Sequence, residues 1–472
     1  MTDVIGKALH RLGSQLPGRL SLPGHDGYVA ATAIWAKSTR PLPRAVAHCL
    51  TAQDVQAAIR AARECDLPLS VRGGGHDWAG RALCGGLVID LRGMNRVDAY
   101  LENGTARVAG GARTSDVLDA THPLEIAAVT GSVGAVGMAG LTLGGGYGPL
   151  IGRFGLALDN LLAAEVVLAD GRIVTAMPGG EEELFWALRG GGGNFGVVTD
   201  MHLQLYHLPS VHSGMLVYPF AEAKAVLGGC ADISASAPEA LTVQVGIIGG
   251  PDGSPVVFAV PTWCGRPEEG EAQVAPFLKL GTLLASSVQT TSYKSSLSAF
   301  DAYIVNGQRT FMETCWLPDL AAGGVDALIY AMAGAVSPGC AILTHEFKGA
   351  ASRVPAGSTA FGLRRDHVLV EILATFPDRG DELEARRHRR WARDARLAFG
   401  SIALPGGYPN LLARDDVERA VHSYGDNAAR LIKAKHRYDP DNVFRSAVPL
   451  PTDGSIYPSS RPAWRVGGAK SG

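Results

Sequence analysis

Three glycine-dense stretches constrain what this chain can fold into: Gly73 to Gly75, Gly131 to Gly148 and Gly190 to Gly196, all before residue 200. Glycine lacks a Cβ, so such stretches let backbone come close to other backbone or to a ligand. With 60 glycines in 472 residues, the chain carries about twice the usual share. No G-X-Y period accompanies them and 46% of residues are hydrophobic. Collagen and low-complexity disorder are therefore excluded. The length suits roughly two to four domains' worth of chain with a sizeable core.

Charge and cysteine usage narrow the class. A net charge of −2 and a pI near 6.7 leave no basic excess for nucleic acid or an anionic membrane. No apolar run reaches the roughly 18 residues a membrane span needs. Residues Met1 to Leu16 lack the uninterrupted apolar core of a secretory signal. The seven cysteines are scattered without a CxxC, which argues against a disulfide framework or a zinc site. The expectation is a soluble cytoplasmic protein without a metal.

The glycine blocks sit between regular elements. Thr51 to Cys65 reads as a helix, opened by Thr51 and Asp54 in capping-box spacing and striped by Val55, Ala58, Ile59 and Ala62. A strand over Pro68 to Val71 runs into Arg72-Gly73-Gly74-Gly75-His76. Gly86 to Leu91 and Ala106 to Ala109 are strand-like, and Thr114 to Ala120 is a short helix. Ala169-Asp170-Gly171 joins Glu165 to Leu168 and Arg172 to Thr175 as a hairpin. Glu181 to Leu188 reads as helix and Val197 to Tyr206 as strand. After Leu208 the texture changes to a second α+β region, with strands at Ala341 to Phe347 and Val368 to Phe376 and a helix at Glu382 to Leu397. The segment from Pro451, rich in Pro, Ser and Gly, is expected to be a loosely ordered tail.

Each block has a chemical reading. Consecutive backbone N–H groups after a strand, as at Gly73 to Gly75, can wrap a pyrophosphate. In the second block the spacing Gly134, Gly137, Gly140 fits neither a helix cap nor a strand, and suggests backbone laid along a flat ligand. The third, Gly191-x-Gly193-x-x-Gly196, matches GxGxxG in letters only. A nicotinamide-binding crossover needs a strand before and a helix after, and the order here is reversed. P-loop, GxSxG and HExxH motifs are absent. Three glycine-rich loops with Arg72 and His76 beside the first fit one large cofactor carrying a pyrophosphate and a planar ring.

The ordered set of motifs carries a resemblance. It comprises Arg72 to His76, Gly131 to Gly148, Arg153 to Leu161, Phe185 to Val198, Gly349 to Val354 with Thr359 to Phe361 and Arg364, Tyr408-Pro409-Asn410, and Tyr438 to Phe444. Together they resemble the berberine-bridge-enzyme-like branch of the vanillyl-alcohol-oxidase flavoproteins, and the mono-covalent nicotine-oxidase type within it. The resemblance implies an α+β fold of two domains. A PCMH-type FAD-binding domain over 1–207 is completed by a C-terminal return over 406–450. An antiparallel-sheet substrate domain covered by helices spans 208–405, and 451–472 is the tail. It implies FAD joined covalently to His76. A second linkage through cysteine, common in the family, is missing because Val133 occupies the matching position. Cofactor contacts are expected from Arg72, Gly73, Gly74, Gly75, Thr130, Gly131, Ser132, Gly134, Ala135, Gly137, Met138, Gly140, Leu141, Gly145, Tyr147, Gly148, Asn194, Gly196, Val197, Val198, Tyr408 and Asn410. Asp159 and Asn160 are read as fixing loop geometry through side-chain-to-backbone bonds.

Taking a hydride from a C–H requires removal of a proton from the adjacent O–H or N–H. The candidates are Tyr408, foremost by its motif, then His345 and Glu346, and His367 and Glu371 on a strand where alternate residues share a face. Leu411 stands where a second aromatic is usual. His202 and His207 are read as structural. The leading expectation is an FAD-dependent oxidase of an alcohol, amine or sugar-like small molecule, with dioxygen as acceptor and hydrogen peroxide as product. A dehydrogenase with another acceptor and a redox-inert flavin-binding protein are the alternatives.

Overall fold

A computed structural model describes residues 2–37, 41–298, 300, 304–379 and 381–451. Of the expected tail at 451–472, all but Pro451 lies outside the described residues. The architecture is α+β, with two small sheets in the first half and one large sheet in the second.

The first sheet is a βαβ unit. Strands Ala45–His48 and Leu69–Arg72 flank Leu87–Asp90 in parallel, and Leu20–Ser21 adds an antiparallel edge. Helix Ala52–Glu64 makes the crossover. Its capping box forms as expected, with Asp54 N–H donating to Thr51 Oγ1 at 3.1 Å and Thr51 N–H to Asp54 Oδ2 at 3.1 Å. Val55, Ala58, Ile59 and Ala62 are buried against Leu69, Leu87 and Ile89. The second sheet is antiparallel, ordered Val97–Tyr100, Thr105–Ala109, Gly196–His207, Leu161–Leu168, Ile173–Ala176, with Ile126–Ala128 on the far end of the long strand.

Among the described residues the third sheet has nine antiparallel strands, with Cys340–Phe347 and His367–Phe376 paired next to the edge strand Arg309–Leu317. Alternation sorts its side chains. Val243, Val245, Ile342, Val370 and Ile372 pack in one core with helices Ala223–Ala235, Ala322–Ala333 and Glu382–Leu397. Gln244, Leu343, His345, Glu371 and Leu373 point to the opposite face, toward the glycine blocks. That period-2 division is what a sheet buried on both faces requires.

One expectation needs correcting. The Gly134 to Gly140 spacing does include a helix cap: Gly137 is the N-cap of helix Met138–Gly144, because its extended backbone frees the first turn without a side chain. The helix opening at Glu182 ends at Leu188 as expected, because the backbone leaves the helical region at Arg189 and Gly190, where φ reaches 128° at the glycine. A Cβ on Gly190 would stand 2.2 Å from the Phe361 nitrogen, so this kink is where the two halves of the chain meet backbone to backbone.

The C-terminal return docks through a buried ion pair. Lys435 Nζ lies 2.6 Å from Asp439 Oδ2 and donates to the Asn194 carbonyl at 2.9 Å. Asp439 also accepts the backbone N–H groups of Val443 and Phe444. The polar turn at Tyr438 to Phe444 is thus a carboxylate-centred knot that anchors the return beside the third glycine block.

Candidate active site

A cavity of about 560 Å³ lies between the glycine blocks and the face of the large sheet that carries His345 and Glu371. Gly73, Gly74 and Gly75, Gly131 and Ser132, Gly137, Gly140 and Leu141, and Gly196 to Val198 line one side with His76 and Tyr147. His345, Glu371, Gln244, Leu343, Met312 and Leu373 line the other, and Tyr408 and Asn410 come from the return. Residues far apart in the chain are therefore brought to one space.

The remaining expected residues stand behind this wall. Arg72 is buried and its guanidinium donates to the carbonyls of Ala30 (2.8 Å), Ala31 and Ala33 (2.7 Å) at the end of helix Asp26–Thr32. It braces the first loop from beneath. Thr130 Oγ1 bonds the Tyr293 hydroxyl at 2.8 Å, and Met138 lies under the Thr114 hydroxyl. Asn194 donates to the Gly191 and Val448 carbonyls. Gly134, Ala135 and Gly145 also lie off the cavity wall, and Gly148 borders a smaller neighbouring cavity. Asp159 and Asn160 do hold loop geometry. Asp159 accepts Leu156 N–H at 2.9 Å and pairs with Arg364 at 2.7 Å, and Asn160 donates to the Phe154 and Leu156 carbonyls.

The glycines divide by what surrounds them. A Cβ on Gly74 would lie 2.5 Å from the Gly137 nitrogen, and one on Gly137 would lie 2.5 Å from the Gly74 nitrogen. These two keep the first and second loops in backbone contact. Gly140 and Gly193 differ: a Cβ there would meet nothing within 4 Å, yet both line the cavity. The space over both glycines is open and available to a ligand.

His76 packs face to face on Trp35, with ring centroids 4.2 Å apart and planes 11° from parallel. Burial pushes the imidazole pKa down to about 4, against an opposing pull from the charge of Glu371. The ring is neutral at pH 7. Tyr408 Oη accepts Gly146 N–H at 2.9 Å and Asn410 Nδ2–H at 3.0 Å. Burial raises its pKa above the ordinary phenol value despite those two bonds. The phenol keeps its proton and has it free to donate.

Tyr147 packs edge-on to Tyr408 at 5.0 Å and meets His367 Nε2 at 2.6 Å. His367 Nδ1–H donates to the Arg365 carbonyl at 2.7 Å, so Nε2 accepts from the Tyr147 hydroxyl. His367 shares a strand face with Glu371, as alternation requires, but is buried behind Tyr147 and away from the cavity. Glu346 points to the opposite face, where Ser234 and Val243 N–H hold it. That leaves His345 and Glu371, whose Nε2 and Oε1 are 3.4 Å apart. Gln244 Nε2 is 3.2 Å from the same His345 nitrogen. Trp35, Gln244 and Arg81 also line the cavity. Sequence reading missed them because none lies in a glycine block, and only strand alternation around Gln244 could have signalled one. Arg81 ties the first loop to the return through the Asn410 carbonyl at 2.9 Å and the Leu412 carbonyl.

Comparison with known proteins places this geometry. Residues 43–177 match the FAD binding domain family and residues 407–451 the berberine and berberine-like family. (R)-6-hydroxynicotine oxidase of Paenarthrobacter nicotinovorans is 30% identical over 455 residues, covering 93% of this chain and 98% of that protein. The chain belongs to the berberine-bridge-enzyme-like family of FAD-linked oxidoreductases. The crystal structure of 6-hydroxy-D-nicotine oxidase from Arthrobacter nicotinovorans is similar at TM-score 0.80 and 28% identity, over 91% of this chain and 97% of that one. Physcomitrella patens BBE-like 1 shares the fold at TM-score 0.84 and 21% identity, over 95% and 99%. The berberine-like segment is the C-terminal return, which delivers Tyr408 and Asn410 to the cavity. The FAD-binding segment carries the first two glycine blocks. FAD fits the residues present: backbone N–H groups at Gly73 to Gly75, unfilled space over Gly140 and Gly193, and a neutral imidazole at the cavity wall.

Proposed function

We propose that this protein is an FAD-dependent oxidase that removes a hydride from a C–H beside an amine or alcohol, with the flavin joined to His76 alone. Bound FAD accepts the hydride equivalent and passes the electrons to dioxygen, giving hydrogen peroxide. The observation that carries the reading is the cavity itself. It sets glycine-rich backbone and a neutral His76 on one side and an acid-base group, Glu371 with His345, on the other.

Each side chain has a distinct role. Residues 1–207 and 406–450 hold the cofactor, and 208–405 supply the substrate wall. The neutral His76 nitrogen is available to form the bond to the flavin methyl, and Trp35 fixes the plane of the ring. Val133, in the place of the family's cysteine, offers no second bond. Glu371 takes the substrate proton, because a carboxylate is an acceptor while Tyr408, held as a phenol, is a donor. Tyr408, with both oxygen lone pairs occupied by Gly146 and Asn410, donates its own hydrogen toward the substrate and orients it. Ile248, Phe300, Ile304, Met312, Leu343 and Leu373 make the substrate end apolar. That favours a ring-bearing amine or alcohol over a sugar, whose hydroxyls would go unpaired.

Anaerobic mixing with a panel of amines, alcohols and sugars, followed by air, tests this. The flavin colour is expected to bleach with an amine or alcohol and return within seconds of air. Return over minutes would sink the oxidase and leave a dehydrogenase, and no bleaching by any compound would leave a redox-inert binding protein.

A further inference from the structure

The main cavity has a neighbour that the proposed chemistry does not use. A side cavity of about 30 Å³ is lined by Ser132, Thr242, Thr262, Ser296 and His345. It exceeds the roughly 10–15 Å³ that a water molecule requires. His345, Gln244, Ser132 and Phe300 border both cavities, so the His345 ring is a partition between them. Ser296 is half-buried on the short helix Tyr293–Leu297.

Among apolar Val243, Val260, Leu297 and Phe300, the lining carries a small set of hydroxyls around His345. The Thr242 hydroxyl donates to the Pro149 carbonyl at 2.6 Å, and the Ser296 hydroxyl to the Tyr293 carbonyl at 2.8 Å. Thr262 pairs with Ser213 at 2.8 Å. With their hydrogens committed at Thr242 and Ser296, these oxygens present lone pairs, which is what a water with two hydrogens can use. The other titratable wall residue, Glu346, is held by Ser234, the Val243 N–H and Lys348. His345 is the group in this wall that also reaches Glu371, at 3.4 Å.

We infer that the side cavity is a binding site for an ordered water that receives the substrate's proton through His345. The inference rests on the oxidase reading above. With bound FAD as the hydride acceptor, the proton would leave the substrate O–H or N–H for the Glu371 carboxylate. It passes from Glu371 to the His345 ring, and the ring gives up a proton to the water, which restores the carboxylate and the neutral imidazole. His345 acts through Glu371 and is a relay and positioning residue.

The test uses the FAD-loaded protein and needs no substrate. A high-resolution crystal structure is expected to show a water in the side cavity within hydrogen-bond distance of His345 and at least one of Thr242, Thr262 and Ser296. Protein labelled with ¹⁵N-histidine is then moved into D₂O, with His345→Gln used to assign the His345 resonance. The His345 ring N–H is expected to exchange rapidly, while His367, bonded to Tyr147 and Arg365 away from both cavities, stays protected. Ser296→Ile, which fills the side cavity, should slow His345 exchange by about tenfold or more. If that variant does not fold, Val260→Ile fills the cavity from the sheet. A side cavity without water, or His345 exchange unchanged by filling it, overturns the inference. Neither readout depends on turnover, so failure of the oxidase reading is told apart from failure of this one.

Discussion

Gly74 and Gly193 both sit in glycine blocks on the cavity wall, yet replacing each by alanine should have opposite consequences. In Gly74→Ala the new Cβ starts 2.5 Å from the Gly137 nitrogen and 2.6 Å from its Cα, where ordinary contact begins at 3.4 Å. The two loops must separate by nearly an ångström, and the obstacle is backbone, which cannot rotate away. Overpacking of this kind costs about 1–3 kcal/mol. In Gly193→Ala the Cβ meets nothing within 4 Å and the backbone is outside the left-handed region. Such a site gains about 0.4–1 kcal/mol, because alanine restricts the unfolded chain. Its methyl nevertheless enters the space assigned to FAD. Urea unfolding of each variant in the His76→Ala background stripped of flavin, set beside the flavin-to-protein absorbance ratio of the purified protein with His76 intact, reads both effects. Gly74→Ala should lose stability and flavin together. Gly193→Ala should keep or gain stability and lose flavin. A Gly74→Ala protein as stable as wild type, or a Gly193→Ala protein with full flavin content, would refute the division of the glycines into loop contacts and ligand space.

Other outcomes follow from the same geometry. Glu371→Gln should slow anaerobic bleaching by about 10²–10⁴-fold in stopped flow. Tyr408→Phe should slow it less and cost about 1–3 kcal/mol of stability, because the Gly146 and Asn410 donors lose their acceptor. Asp439→Asn leaves the Lys435 ammonium buried beside Asn194 without its partner, and should destabilise by about 3–5 kcal/mol in denaturant titration. Burial lowers the His367 pKa from 6.5 to about 3, so the folded state binds fewer protons than the unfolded state between those values. Stability from this group is complete above pH 6.5 and is lost as pH falls toward 3. His367→Gln should flatten that part of the stability-against-pH curve, and an unchanged slope would contradict the buried neutral ring.

Much of the scaffold was legible because its signals are local. The capping box at Thr51 and Asp54, the Ala169-Asp170-Gly171 hairpin and helix Glu382–Leu397 all depend on neighbours in sequence. The reversed order of helix and strand around Gly191 to Gly196 was enough to reject a nicotinamide fold, and the structure has that order. The sheet wall of the cavity was less legible because it is made by register. His345 lies opposite Leu369, and Leu343 opposite Glu371, so the His345–Glu371 pair is a diagonal across two strands that no spacing within either one encodes. Alternation placed His367 on the Glu371 face, but Tyr147 covers it, and Tyr147 arrives from a glycine block some 220 residues away. Arg72, beside Gly73, is expected from the sequence to contact the cofactor. The free carbonyls of helix Asp26–Thr32 claim it instead. Glycine count alone also could not separate loop contact from ligand space, since both need the same missing Cβ.

The claim on which the rest depends is that FAD occupies this cavity attached to His76 and to no other residue. Intact mass spectrometry of the protein after acid denaturation tests it directly. Wild type is expected to carry the added mass of one FAD and to precipitate yellow, and His76→Ala to precipitate colourless at the mass of the bare chain. Wild-type protein at the bare-chain mass, or a His76→Ala protein that keeps the added mass, would contradict the account.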